Sequence, residues 1–437
     1  MREKKGTKVS WIGEIPLEWE LKKIKRVFKT TNGYGFPDKL QGQQAGDIPF
    51  LKVSDFPKNS DFILSSSNYV SLDTLNKKNW KTTEPMSIIT AKIGEAMKKN
   101  HRKINVDPCL IDNNMMALTV KKGHLKYFFY ASKIIDFSWF SNPGAVPSLN
   151  HRQFRESYIM SPPIVDQHKI ANYLDQKTSE IDTLIEDKEK LIALLEEKRQ
   201  AIITEAVTKG LNPDVKMKDS GVEWIGEIPE HWELVRNKYL FKREKNIVGD
   251  QSSSYNVLSL TMRGVIHRDI ESNEGKMPAS FDSYQVVEPN NLLMCLFDID
   301  VTPRTVGLVN SFGIVSPAYS NFKVIKENVD VSFYYYWYLM LDFDKKLLHL
   351  SKNLRNSIGT ADFGALECPL PGFLEQQEIV KYLNEKETLI IESIAMIKEQ
   401  IKVIKEYRQA LIYEAVTGKI DVQVMLKETE QEEVSSS

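Results

Sequence analysis

The sequence predicts a mixed α/β (α+β) chain in which two globular domains are joined by two long helices. The helices pair as an antiparallel coiled coil, and the whole forms a pseudo-twofold internal repeat. Three observations carry this prediction. The string WIGEIP stands at Trp11–Pro16 and again at Trp224–Pro229. Two long segments rich in Glu, Lys, Leu and Ile carry apolar residues every seven positions. The stretches between entry and heptad segment are unlike each other.

The entry repeat extends beyond six residues. WIGEIPLEWELKKIKRVF and WIGEIPEHWELVRNKYLF agree at eleven of eighteen positions, including Trp19/Trp232 and Phe28/Phe241, at an offset of 213. A second pair of blocks follows at an offset of 209. DQHKIANYL (166–174) corresponds to EQQEIVKYL (375–383), and RQAIITEAVT (199–208) matches RQALIYEAVT (408–417) at eight of ten. A repeat of this kind sets the architecture before any single residue is interpreted. Each half is therefore a short shared entry, a private domain and a long shared segment. The expected boundaries are 1–165 for the first domain, 166–210 for the first helix, and 211–374 for a linker and the second domain. Residues 375–420 form the second helix and 421–437 an acidic, disordered tail.

From Ile170 to Ala206 there is neither Pro nor Gly. Leu174, Ile181, Leu195 and Ile202 recur at heptad spacing with Lys188 as the interruption, and Ile185 and Ile192 run beside them. The second copy reads Leu383, Ile390, Ile397, Ile404 and Leu411, with Ile394 and Ile401 alongside. A period of 3.5 over five heptads predicts a coiled-coil seam. Prolines before an acidic first turn mark each start, and Gly210 and Gly418 mark the stops. About 40 residues make a rod of roughly 60 Å. Each helix needs a partner for its apolar stripe, and the economical partner is the other copy.

The chain is 437 residues long, with 42% hydrophobic and 27% charged residues, an ordinary globular composition. No apolar run reaches the roughly 20 residues that cross a bilayer, and no signal peptide is apparent. Cys109, Cys295 and Cys368 are widely spaced and read as reduced thiols of a cytoplasmic protein. The net charge of −1 hides an asymmetry. Residues 1–165 carry 26 Lys+Arg against 15 Asp+Glu, a net +11, whereas residues 211–374 carry 17 against 21, a net −4. The first domain is basic enough to attract a polyanion.

Catalytic signatures are missing. Gly33-Tyr34-Gly35 lacks the ending of a phosphate loop. SPPI at 161–164 has Ile164 where a proline-rich methyltransferase loop needs an aromatic ring to stack a base. Asp298 and Asp300 in FDIDV read as a strand edge, and seven scattered histidines give no metal-ligand spacing. The aromatic run FYYYWY at 333–338 reads as core. No metal site and no active site are expected.

Two divergent domains, each preceded by WIGEIPxxW and followed by a proline-rich turn (PPIVDQ, PGFLEQQ) and a helix ending in RQAxIxEAVT, resemble the specificity subunit of type I restriction–modification systems. The resemblance covers nearly the full length. It implies a non-catalytic chain whose two target recognition domains each read one half of an asymmetric, gapped sequence in double-stranded DNA. Two methylation subunits would dock on the shared framework and restriction subunits would join them. S-adenosylmethionine, ATP and Mg2+ would be bound by those partners, with no cofactor on this chain and no membrane. A competing expectation is a coiled-coil adaptor whose variable domains bind proteins.

Cations supply the candidate DNA contacts. In the first domain they are Lys98, Lys99, Arg102 and Lys103 from the cluster KKNHRK, with Arg152 and Arg155, and the NGYG stretch at 32–35 marks a loop. In the second they are Arg263, His267, Arg268, Arg304, Lys352, Arg355 and Asn356.

Overall fold

The computed structural model describes residues 3–9, 11–142, 144–270, 278–351 and 356–425. Lys352, Arg355 and the tail beyond 425 lie outside the described residues. By packing, the chain divides into two compact units, Met1–Lys188 with Glu399–Ser437, and Glu189–Lys398.

In the first unit the entry segment forms a hairpin, Lys4–Gly6 against Glu14–Pro16. Strand β1 (Glu20–Lys23) follows it, then β2 (Phe28–Asn32), β3 (Phe62–Ile63), β4 (Ile88–Ala91), β5 (Lys103–Asn105) and β6 (Met115–Val120). Helix α1 (Leu125–Lys133) and strand β7 (Tyr158–Ser161) lead into the long helix α2 (Ile164–Lys209). A five-stranded sheet has the order β2-β6-β4-β5-β3. Strand β4 is buried at all four positions, so it forms the sheet centre and reads as continuous apolar sequence rather than as an alternation. Strand β1 pairs antiparallel with β7, tying the entry to the residues just before α2.

The second unit repeats this plan. Met217–Asp219 pairs with Glu227–Pro229. The strands are β8 (Glu233–Arg236), β9 (Phe241–Glu244), β10 (Leu292–Met294), β11 (Val306–Leu308) and β12 (Ser320–Val324), followed by helix α3 (Val331–Phe343), strand β13 (Glu367–Leu370) and the long helix α4 (Phe373–Thr417). The sheet order is β9-β12-β10-β11, and β8 pairs with β13. This order matches β2-β6-β4-β5 of the first unit, whose fifth strand β3 has no counterpart in this sheet, although the intervening sequence bears almost no likeness to it. The run FYYYWY belongs to α3, where Tyr334, Trp337 and Tyr338 are among the largest fully buried side chains, which agrees with its reading as core.

The long helices pair within each unit. In the first, Asp182 meets Arg408 at 3.0 Å and Lys188 donates to Gln400 Oε1 at 2.7 Å. In the second, Arg199 Nε donates to Glu387 Oε1 at 2.8 Å. Rising numbers on α2 meet falling numbers on α4, so the pairing is antiparallel. The predicted heptad residues are buried or half-buried along these helices, and Leu383 and Ile202 pack in the second unit's core. Leu174, Ile181, Ile185, Leu383, Ile390, Ile394, Ile397, Ile401 and Leu411 are buried, and Ile192, Leu195, Ile202 and Ile404 are half-buried. Lys188 interrupts the stripe with a polar pair rather than a void. Each helix ends before a glycine with positive φ, Gly210 at +75° and Gly418 at +70°, a conformation that costs a residue with a Cβ much more.

The shared sequence blocks prove to be the parts that lock helix to domain. Trp19 and Trp232 are 2% and 0% exposed, and their indole N–H groups donate to Asp166 Oδ2 (3.4 Å) and Glu375 Oε2 (3.0 Å) in the first turns of α2 and α4. Gln167, the next residue, accepts from His124 N and donates to Pro162 O, both at 2.8 Å. Gln376 does the same with Asp330 N and Pro371 O, both at 2.9 Å. His124 and Asp330 are the N-cap residues of α1 and α3. Each glutamine thus ties three chain segments together from a buried position, where unmet polar groups are costly.

Candidate nucleic-acid interface

The open end of the first unit's sheet is where β2 and β4 finish and β6 begins. Asn32 pairs with Met116 in register, and Ala91 pairs with Met115. The register therefore delivers Asn32, Lys92 and Asn114 to one place. Lys92 N donates to Asn114 O at 2.8 Å, and Lys92 Nζ donates to Asn32 Oδ1 at 2.9 Å. Asn32, Asn113 and Asn114 are exposed, while Lys92 is half-buried.

The backbone here is held from two sides. A Cβ on Gly33 would lie 2.0 Å from Asp112 O and 2.2 Å from Ile111 O, so only glycine permits this approach of the NGYG loop to the segment before β6. On the other side, Leu149 N donates to Lys92 O and Gly94 N to Pro147 O. Burial lowers the pKa of Lys92, against the pull of the Asp112 carboxylate. Burial also lowers that of His151, helped by the positive charges of Lys92 and Arg155. Lys92, His151 and Arg155 therefore share one electrostatic neighbourhood.

The cations expected from the sequence are placed differently from one another. Lys98 and Lys99 are exposed at the end of a short helix, and Lys98 pairs with Glu95 at 2.7 Å. Lys103 is half-buried and donates to Ser60 O. Arg152 and Arg155 are exposed on the helix His151–Glu156.

The expectation that Arg102 contacts phosphate is corrected by its burial. It is 2% exposed, with Nη1 donating to Thr90 Oγ1 and His101 O and Nη2 to Asn100 Oδ1 and Ile135 O. Its guanidinium lies 3.9 Å from the Phe137 ring centroid. Burial lowers its pKa to about 9, against the pull of Asp136. It braces the core, and a dense run of cations in sequence does not reveal which of them faces inward.

In the second unit Arg263 is exposed at the turn between Leu258–Thr261 and Gly264–His267, and His267 Nε2 lies 3.4 Å from Ser311 Oγ. Arg268 is half-buried, and its N–H donates to Val257 O. Asn356 is half-buried at φ +41°, with its carbonyl accepting from Ile299 N. Arg304 is a second correction. It is 7% exposed beneath the hairpin turn, with Nη2 donating to Met262 O and with Nε and Nη1 buried without a hydrogen bond. By register, with Phe241 standing where Phe28 does, the positions matching Asn32 and Lys92 are Lys245 and Leu296. Lys245 is exposed and Leu296 is buried. The two sheet ends thus present different side chains.

Sequence reading missed Asn32, Lys92 and Asn114. A lone lysine carries no density signal, and only the NGYG loop marked the neighbourhood. Among the described residues, no three His, Cys, Asp or Glu side chains converge on a possible metal position. No helix among them is long and apolar enough to cross a membrane.

Comparison with known proteins points one way. Residues 16–194 match the family model described as the type I restriction modification DNA specificity domain. A putative type I restriction enzyme specificity subunit of Methanocaldococcus jannaschii, MjaX, is 26% identical, covering 94% of this chain and 96% of its own length. The MjaVIII specificity subunit of the same organism is 25% identical over 93% and 94%. A chain from a structural study of complex assembly and conformational transition in a type I R-M system superposes with a TM-score of 0.65. It is 14% identical and covers 93% of this chain and 99% of its own, a likeness of fold.

Proposed function

We propose that this chain, a member of the type I restriction–modification specificity-subunit family, reads an asymmetric, gapped target in double-stranded DNA with its two variable domains, one half-site each. The observation that carries this reading is the contrast inside the repeat. The sheet order and the Trp and Gln locks are duplicated, while the residues at the open sheet ends are not. A duplicated frame with unlike ends is what two different half-sites require.

Catalysis then lies with partners. Two methylation subunits would bring S-adenosylmethionine for transfer to adenine N6, and restriction subunits would bring ATP and Mg2+. This chain binds no cofactor and contributes position alone, and its work on DNA places it in the cytoplasm. Recognition units reading one face of DNA about one helical turn apart need a rigid spacer of roughly 34–36 Å. α2 alone has 46 residues, about 69 Å at 1.5 Å per residue. Changing the length of both helices should therefore change the gap and leave the bases alone. Residues 211–374, at −4, make poor non-specific contacts with phosphate. The methylation subunits would supply that attraction, so the isolated chain should bind DNA weakly. That same acidity is the one observation favouring a protein-binding adaptor.

The test is to co-express the chain with its cognate methylation subunit, in a host without adenine methylation, and map N6-methyladenine. A two-part gapped motif that vanishes without this chain supports the reading. Methylation that is absent, or unchanged without the chain, favours the adaptor.

A further inference from the structure

We propose that Asn32 and Lys92 form a base-reading pair for guanine in the half-site assigned to the first unit. This deepens the proposed function and rests on it. The two side chains arrive from different strands, β2 and β4, and meet at 2.9 Å on an exposed sheet end.

The hydrogen bond between them decides what they can read. Asn32 Oδ1 is occupied by Lys92 Nζ, so the amide is oriented with its NH2 group outward, an assignment fixed by the network. Lys92 keeps two of its three N–H donors. The pair thus presents an ammonium and an outward NH2, with one lone pair of Oδ1 left beside the ammonium. Bidentate reading of adenine by asparagine needs that oxygen to accept from N6, and the Lys92 ammonium already held there opposes a second donor. Cytosine offers a donor in the major groove and is met by donors. Thymine offers one acceptor, O4, whereas guanine offers two, O6 and N7, and is the base that two adjacent donors fit.

Preorganisation separates this pair from the other cations. Lys92 is half-buried and tethered, and Asn32 sits beside a glycine whose approach to Ile111 and Asp112 leaves no room for a Cβ. Sites that discriminate are those whose rotamers are held before the ligand arrives. Lys98 is paired to Glu95, Lys99 lies beside it on the same exposed turn, and both suit the phosphate backbone better. The matched positions of the second unit, Lys245 and Leu296, cannot form such a pair because Leu296 is buried and apolar, so guanine reading of this type belongs to one half-site.

The experiment uses the full chain with its methylation subunit and maps methylated adenines for the natural sequence, Lys92→Met, Asn32→Ala and the isosteric Asn32→Asp. The wild-type motif should contain a guanine in one half-site. Lys92→Met and Asn32→Ala should relax that single position by roughly 10- to 100-fold, with the other half-site unchanged. Asn32→Asp, which keeps the acceptor for Lys92 but removes the outward NH2, should also weaken guanine there. A wild-type motif whose base preferences survive all three variants overturns the pair, even if overall methylation falls, because a phosphate or structural role lowers all sites together. That outcome leaves the proposed function standing. Absence of any chain-dependent motif in the wild type removes both.

Discussion

The two units are alike where the chain must hold its helices and unlike where it faces outward. In the first unit Trp19 meets Asp166 and in the second Trp232 meets Glu375, with Gln167 and Gln376 beside them making matched bonds. Four strands of each sheet follow the same order, yet Asn32 and Lys92 in one correspond to Lys245 and Leu296 in the other. A strand buried on both faces asks only for apolar residues, which many sequences supply. A buried indole or carboxamide with a named partner asks for that residue. The comparison separates positions under geometric demand from positions free to change with the target.

The largest effects should come from the indoles. Trp19→Ala and Trp232→Ala should each cost about 3–5 kcal/mol, because each leaves a large void and removes the indole donor from an acidic residue at a helix start. Unit-resolved hydrogen exchange should show the loss in the matching unit. Equal losses sharpen the comparison, and a negligible loss at either one breaks it. The seam pairs come next, and here the units differ. Arg199 and Glu387 have side chains only 15% and 14% exposed, and Tyr336 also donates to Glu387. Arg199→Met strands that carboxylate and should cost roughly 3 kcal/mol. Asp182, 52% exposed beside Arg408, should cost less than about 1 kcal/mol as Asp182→Asn. Urea denaturation of both variants reads the contrast directly.

Gln376→Ala removes partners from Asp330 N and Pro371 O in a site with no exposure, and should cost about 1–3 kcal/mol. Gln167→Ala should behave alike in the first unit. If one glutamine matters and the other does not, the matched bonds are not matched in energy.

The helices and the repeat were legible in the sequence because their signals are periodic. Heptad spacing needs only apolar residues at fixed intervals, and those from Leu174 to Leu411 are buried or half-buried on the two long helices. The shared sheet frame was not legible. Strands of three to six residues, such as Leu292–Met294, leave too short a pattern to align. The candidate interface was partly legible, and for a physical reason. Charge density marks where cations are numerous, as at Lys98–Lys103, but burial is decided by tertiary contacts, and those turn Arg102 inward. The Asn32–Lys92 contact joins residues sixty apart, and no local pattern encodes it.

The smallest effect concerns a contact that only the first unit makes strongly. Glu156, just before β7, accepts from Lys23 of β1 at 2.7 Å and also from Lys25. Hydrogen bonds from Lys23 and Lys25 bring its pKa down to about 2. In the second unit Ala365 stands at the position of Glu156, and Arg236 instead meets its cross-strand neighbour Glu367, looser at 3.7 Å. The folded value lies below that of an unfolded glutamate, near 4.3. The contribution is therefore present above that value and is lost as the pH falls toward about 2. Glu156→Gln should lower the melting temperature slightly at pH 6 and leave it unchanged near pH 2, flattening the acid limb between. Because the group lies at the surface, added salt should shrink the difference at pH 6. An acid limb as steep in Glu156→Gln as in the natural sequence would assign it to other carboxylates, and the two entry strands would then be held equally well without their lysines.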